Sequence, residues 1–141
     1  MNHFSLFAHG PDFQSDEYLA RSSLQFDNVW RRRDPRGCSH DDSHPTSGIE
    51  KFLGDGRALT IYEQDAIAVA FLERHQQAIA ELSTYPGVES CVLGLHHRLV
   101  SSPSLRGFCF SASQQLMGLS LRTGVKLTIY VELEPSEEWE E

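Results

Sequence analysis

The clearest alternation of hydrophobic and polar residues lies between residues 108 and 133. There FCF is followed by SASQQLMGLSLRTG and VKLTIYVEL, which predicts a strand, a helix and a second strand. Ser111 or Ser113 can cap the helix, and Gly124 can end it in a left-handed turn. Alternate positions from Val125 to Leu133 are apolar. Because burying such side chains yields about 1.5–3 kcal/mol each, we expect this last strand to be central to a sheet.

The earlier part of the chain predicts further elements of both types. In order, these are a strand over 3–8, a short helix from Ser15, a strand over 24–30, a turn of helix over 49–53, a strand over 57–62, a long helix over 64–84, a strand over 88–101 and a returning strand over 106–110. We therefore expect an α+β fold with a single antiparallel or mixed sheet of about five to six strands. Two main helices would pack on one face, in a ferredoxin-like two-layer arrangement. Residues 1–133 would form one domain, and residues 134–141 an acidic C-terminal tail.

Charge is unevenly distributed along the 141 residues. The net charge of −8 comes from 20 acidic and 12 basic residues, and six of the acids lie between residues 132 and 141. The body is therefore nearly neutral and the tail is acidic. Such a tail repels nucleic acid and would suit a basic protein partner. The alternative is a solvated tail that aids solubility.

Cysteine content and hydropathy bear on the compartment. Three widely spaced cysteines suggest no disulfide framework, and a reducing environment is the simpler interpretation. The first residues lack the basic start and apolar run of a signal peptide, and no segment approaches the ~18 apolar residues of a membrane span. We expect a cytoplasmic protein without a membrane partner.

Residues 31–48 contain much turn chemistry and no periodicity. Loops longer than about 12–15 residues are uncommon unless they are functional or disordered, so this segment is the first candidate for a site. Cys38, His40 and His44 offer ligand types that transition metals accept, although their spacing matches no closed zinc knuckle. A polar loop also produces such strings by chance, and we predict no cofactor.

The same segment begins with the main basic cluster of the chain, formed by Arg31, Arg32, Arg33 and Arg36. Guanidinium groups match both phosphate and carboxylate geometry. The acidity of the chain and the absence of a basic stripe argue against nucleic acid. Pairing of the arginines with Asp34, Asp41, Asp42 or the acidic tail is an equally natural interpretation.

Familiar catalytic motifs are absent from the sequence. It contains no GxSxG, P-loop, GxGxxG, HExxH or CxxC pattern. The neighbours His96 and His97 would point to opposite faces of a strand, so they could not chelate one ion without a bulge. We predict no catalytic residue and favour a non-enzymatic role.

Several of these features together resemble an uncharacterised bacterial family, domain of unknown function 4279. The resemblance covers most of residues 3–133 and is carried by Val29-Trp30-Arg31-Arg32, by PGVES after the long helix, and by FSASQQLMGLSLRTGVKLTIYVEL. It implies a small α+β protein with an N-terminal strand and a closing helix–strand pair. Arg33 stands where the family tends to place glycine. Because the family has no established activity, the resemblance implies a fold and leaves function open.

The function that these observations favour is protein binding. An immunity-type inhibitor of a bacterial toxin is its sharpest form, because a small acidic domain can present carboxylates to a basic toxin site. Aromatic and arginine residues are enriched among binding hot spots. The candidate residues are Trp30, Arg31, Arg32, Glu132, Glu134, Glu137, Glu138 and Trp139. One alternative is a small-ligand or metal-dependent enzyme using loop 31–48; another is a self-associating structural domain, such as a homodimer paired through a strand edge.

Overall fold

A mixed five-stranded sheet with helices packed against it forms the protein, and this confirms the predicted α+β class. The computed structural model describes residues 4–33, 45–54, 59–101 and 109–135. The elements are β1 (Phe4–Gly10), α1 (Ser15–Arg21), β2 (Asn28–Trp30), β3 (Ser47–Leu53), α2 (Ile61–Arg74), α3 (Gln76–Ser83), β4 (Ser90–Ser101), α4 (Gln114–Thr123) and β5 (Lys126–Pro135). The described chain thus has five strands and four helices, where two main helices were expected.

The sheet has the strand order β2-β3-β1-β4-β5. Neighbouring strands are antiparallel except β4 and β5, which are parallel and joined through α4. Since β3 is antiparallel to both β1 and β2, strands β1 and β2 run in the same direction, and β3 lies between them. The opening β-α-β unit that the sequence predicts is therefore split by a later strand.

The hydrophobic core lies between one face of the sheet and the helices. Strand alternation sends one set of side chains inward, and these are buried: Phe4, Leu6, Ala8, Ile49, Leu53, Cys91, Leu93 and Leu95. They pack against Phe13, Tyr18, Leu72, Ile79, Leu82, Leu116 and Leu119 from the helical side. Because all the sheet residues of this cluster share one face, the described structure has two layers.

Two predicted elements before α2 are wrong. Residues 49–53 belong to strand β3 instead of a turn of helix. The end of the predicted strand over 57–62 lies in helix α2 instead, because Thr60 caps this helix. The Thr60 side chain accepts a hydrogen bond from the Glu63 N–H, and the Glu63 side chain accepts one from the Thr60 N–H. This reciprocal capping box satisfies two N–H groups and fixes the start of α2. Residues 55–58 lie outside the described ranges.

Other boundaries also differ from the predictions. The long helix over 64–84 is interrupted at His75, which separates α2 from α3. The strand expected over 24–30 is limited to Asn28–Trp30. Of the returning strand expected over 106–110, the structure describes Cys109 and Phe110, and neither is in a strand. None of the helices within the described ranges combines the length and apolarity that a membrane crossing requires.

Two buried polar residues of α2 connect it to other elements. The Gln64 amide donates to the His96 carbonyl (2.6 Å) and accepts from the His96 N–H (3.0 Å). It therefore bonds to β4 past the residues of β4 that pair with β1. Asp65 accepts hydrogen bonds from the N–H (2.8 Å) and hydroxyl (2.7 Å) of Ser113. Ser113 in turn caps α4 by accepting from the Leu116 N–H, which selects one of the two predicted caps.

The position of β5 corrects a central expectation. Gly124 ends α4 with φ 74°, as predicted, and β5 follows with the predicted alternation. However, β5 is an edge strand, paired with β4 alone among the described residues. Its apolar stripe is half-buried at Leu127, near the beginning of the strand, and Leu133 is 63% exposed.

Candidate functional site

The sheet face that points away from the core carries most of the candidate chemistry. It presents Phe7 and His9 from β1 and Glu50 and Phe52 from β3. Alternate side chains of β2, β4 and β5 lie on the same face. No described helix contributes to this face, since the helix residues of the core pack against the opposite one. We refer to it as the open face.

An open depression of about 630 Å³ lies on the β2 side of the open face. It is lined by Phe7, His9, Asn28, Val29, Trp30, Pro45, Thr46 and Glu50. Three of these residues, Phe7, His9 and Trp30, carry aromatic rings, and Glu50 is the acidic residue among them. The depression therefore combines rings with a carboxylate.

Hydrogen bonds from two neighbouring strands hold the Glu50 carboxylate in place. Ser5 Oγ donates to Oε2 (3.1 Å) and Asn28 Nδ2 donates to Oε1 (3.0 Å). Glu50 lies directly across from Phe7 on β1 and from Asn28 on β2. Each carboxylate oxygen has further acceptor capacity, because an ionised carboxylate offers about four lone-pair sites. The group is thus positioned and able to accept from a ligand.

Trp30 lies directly against the backbone of Gly48, its register partner on β3. A Cβ atom added to Gly48 would be 2.2 Å from Trp30 Cζ2 and 2.5 Å from Cε2. Only a residue without a side chain leaves room for the ring to lie so close to the strand. Gly48 therefore sets the position of the Trp30 wall of the depression.

A second aromatic group occupies the β5 side of the open face. The rings of His96 and Tyr130 are stacked with centroids 4.7 Å apart, and Tyr130 also covers Gly94. Further along, Arg98 forms ion pairs with Glu132 (3.3 Å) and Glu134 (3.1 Å). The two described candidate acids, Glu132 and Glu134, are therefore paired within the sheet.

The predicted basic patch is divided in the structure. Arg31 makes a two-pronged contact with Asp16, with distances of 2.7 and 2.6 Å, and these hydrogen bonds lower the pKa of the Asp16 carboxyl. One partner of Arg31 is thus on α1, whereas Asp34, Asp41 and Asp42, which the sequence suggested, lie outside the described ranges. Arg32 is exposed, and its backbone N–H donates to Ser47 Oγ (2.8 Å). Arg33 adopts φ 75°, a left-handed conformation that favours glycine.

The candidate residues do not form one site. Trp30 lies on β2 and Glu132 and Glu134 lie on β5, at opposite edges of the sheet. Four strand spacings separate these edges, or about 19 Å at ~4.8 Å each. Six predicted residues lie outside the described ranges: Cys38, His40, His44, Glu137, Glu138 and Trp139. The structure therefore places Trp30 in the depression, with Glu132 and Glu134 at the other edge of the sheet.

The described residues offer few side-chain groups for metal binding or thiol chemistry. No group of three or more His, Cys, Asp or Glu side chains among them could hold a metal ion. Burial raises the pKa of the Cys91 thiol to about 12, which keeps it protonated. Cys109 is exposed, contrary to its predicted place in an apolar strand.

Comparisons with known proteins add no relative. Neither a scan against protein-family profiles nor searches of curated proteins and of solved structures finds a match to this chain. The resemblance to domain of unknown function 4279 stays a prediction.

Sequence reasoning missed Glu50, Phe7 and His9 as site residues. Phe7 and His9 alternate with the buried Leu6 and Ala8, so their outward direction was available from the first strand. Glu50 was hidden because its segment was interpreted as helical. Only the strand pairing brings it between Phe7 and Asn28.

Proposed function

We propose that this chain is a non-enzymatic protein-binding domain whose open face receives a basic side chain of a protein partner. The observation that carries the proposal is the Glu50 carboxylate, held by Ser5 and Asn28 within an aromatic depression. A cation is the chemical group that such a site recognises best, because both the carboxylate and the ring faces attract positive charge.

The expected energetics suit one arginine or lysine within a larger interface. A hydrogen bond to a charged group contributes about 1.5–3 kcal/mol, and a cation over a ring about 0.5–1 kcal/mol at an exposed site. An isolated side chain should therefore bind only in the millimolar range, since 1 mM corresponds to about −4.1 kcal/mol. Contacts around the depression would supply the remaining affinity of a protein partner.

The proposal is tested with a minimal arginine probe. Acetyl-arginine methylamide would be titrated into the full chain, and the indole N–H signal of Trp30 followed by NMR. A Trp139→Phe variant assigns the signal, because the chain has two tryptophans. We expect saturable shifts of Trp30, and affinity weaker by about tenfold for the citrulline analogue, which keeps the shape and loses the charge.

Matched variants connect the binding to Glu50. Glu50→Gln retains the shape and removes the charge, so it should weaken the arginine probe by a similar factor. Glu73→Gln removes an exposed carboxylate of the helical layer and should leave binding unchanged. Equal affinity for arginine and citrulline, or an unchanged Glu50→Gln variant, would contradict the proposal.

An immunity-type inhibitor of a bacterial toxin is the narrower form of this proposal. A toxin with a basic active site would present the required arginine or lysine, and the acidic end of the chain would add attraction over a longer range. Capture of such a toxin should weaken when Glu137 and Glu138 are replaced by glutamine, with the largest loss at low ionic strength. Unchanged capture would remove the tail from the interface.

A further inference from the structure

Among the described strands, the outer edge of β5 is the longer open edge of the sheet. β5 has ten residues and, over the described ranges, pairs with β4 on one side and with no strand on the other. The opposite edge strand, β2, has three residues. An edge of this length presents a row of N–H and C=O groups that another strand can pair with.

The core-side face of β5 leaves apolar side chains exposed. Ile129, Val131 and Leu133 are 36%, 44% and 63% exposed, so exposure rises along the strand. Polar or charged residues usually occupy such positions, because an exposed apolar edge promotes association. β5 therefore combines an available backbone edge with an apolar stripe.

We propose that two copies of this chain associate through β5, in an antiparallel pair whose two-fold axis passes by Tyr130. In this register Lys126 lies opposite Glu134 of the partner subunit, and by symmetry Glu134 lies opposite Lys126 of the partner subunit. Each pair joins opposite charges on the open face. Opposite charges directly across a strand pair stabilise it, and like charges destabilise it.

The same register also matches the remaining positions. On the open face, Thr128 lies opposite Glu132 of the partner subunit, where a hydroxyl can donate to a carboxylate. On the core-side face, Leu127 meets Leu133 of the partner subunit and Ile129 meets Val131 of the partner subunit. The apolar stripes of the two copies thus lie side by side and form one continuous stripe. This contact buries apolar side chains that are exposed in a single copy.

Neighbouring registers are less complementary. Shifting the axis to Val131 would bring Pro135 opposite Leu127 of the partner subunit, and proline has no N–H to donate. The same shift moves Lys126 beyond the end of the partner strand. Shifting the axis to Ile129 leaves Glu134 without its lysine. The second copy is favoured as occupant because the strand complements itself in charge and in apolar pattern.

The test uses charge reversal at the two ends of the pair. Sedimentation of the full chain from about 1 μM to about 1 mM should show a mass rising from 15.9 kDa toward twice that value. Lys126→Glu alone and Glu134→Lys alone should each weaken self-association about tenfold or more, because two attractive pairs become repulsive. Mixing the two variants should restore association, since both ends then join opposite charges.

Two further variants keep the test decisive. Leu121→Glu changes a residue of α4 that is 86% exposed, far from the β5 edge, and should leave self-association unchanged. With Cys38 and Cys109 replaced by serine, Tyr130→Cys should form a disulfide between copies under mild oxidation. The register brings the two Cα atoms to about 4.5–5.5 Å, within disulfide range.

Several outcomes would overturn the dimer. A wild-type chain that stays at 15.9 kDa over the whole range would show that the edge does not pair with a second copy. Association that survives both charge reversals unchanged would place the contact elsewhere. Failure of the mixed variants to associate, with each variant folded by circular dichroism, would refute the register.

Discussion

Replacing Gly48 by alanine tests whether the close approach of Trp30 builds the binding depression. The added Cβ would be 2.2 Å from Trp30 Cζ2, whereas ordinary contacts begin at 3.4 Å, so the ring must move by about 1.2 Å. In a strand without that ring, the same change would stabilise the fold by roughly 0.5–1 kcal/mol, because glycine loses more entropy on folding. The two effects have opposite signs, which makes the result informative.

The structure favours destabilisation at Gly48. Inserting a methyl group into a filled space costs about 1–3 kcal/mol. After the entropy gain of about 0.5–1 kcal/mol is subtracted, we expect the free energy of unfolding to fall by up to about 2.5 kcal/mol. The displaced ring should also weaken the arginine probe by about two- to fivefold, the factor that a cation–π contact of ~0.5–1 kcal/mol represents.

Urea denaturation and the arginine titration measure the two effects separately. Gly118→Ala is the matched control, because the nearest atom to its added Cβ, Arg122 Nη2, is 3.9 Å away within α4. That change should stabilise the protein by roughly 0.5–1 kcal/mol. If Gly48→Ala proved as stable as Gly118→Ala and bound the probe with unchanged affinity, the assigned role of Gly48 would be refuted.

Three further predictions concern the fold. Gln64→Leu removes both hydrogen bonds to the His96 backbone and should lower the free energy of unfolding by about 2–4 kcal/mol in urea melts, whereas Gln77→Leu, which loses one exposed bond, should change it by only a few tenths. In a Cys38→Ser background, a thiol reagent should label Cys109 in the native state and leave Cys91 unlabelled until unfolding; rapid native labelling of Cys91 would contradict its burial. Burial, and to a lesser degree Arg74 and Lys51, lowers the pKa of His75 below 6.5. The unfolded chain then binds more protons between the two pKa values, so stability should fall as the pH drops through 6.5, and this part of the pH dependence should be absent from His75→Gln.

Sequence periodicity predicted most elements, and the error at residues 49–53 falls where the helical and strand periods agree. Ile49 and Leu53 are four residues apart, a spacing that places them on one face of a helix and also on one face of a strand. The segment was interpreted as helical, and the structure makes it β3. The segment is too short to contain another repeat that would distinguish the helical period from the strand period. Glu50, which belongs to the candidate site, was missed for this reason.

The error at the start of α2 has a different cause. Residues 57–62 alternate like a strand, yet Thr60 and Glu63 have the spacing of a capping box ahead of an apolar helix. The cap satisfies two N–H groups that a helix would otherwise leave free, and the alternation spans too few residues to outweigh it. Weighing the cap first would have identified the helix start.

The strand β5 shows what alternation leaves undetermined. Apolar residues at every second position indicate that one face of a strand is covered. They do not show whether the strand has a neighbouring strand on each side. The regular pattern from Val125 to Leu133 suggested a central strand, whereas β5 is an edge strand of the part of the sheet that the structure describes, and its stripe is progressively exposed. An apolar stripe that its own fold leaves uncovered is explained if a second copy covers it. The strength of the pattern would then reflect the assembled pair.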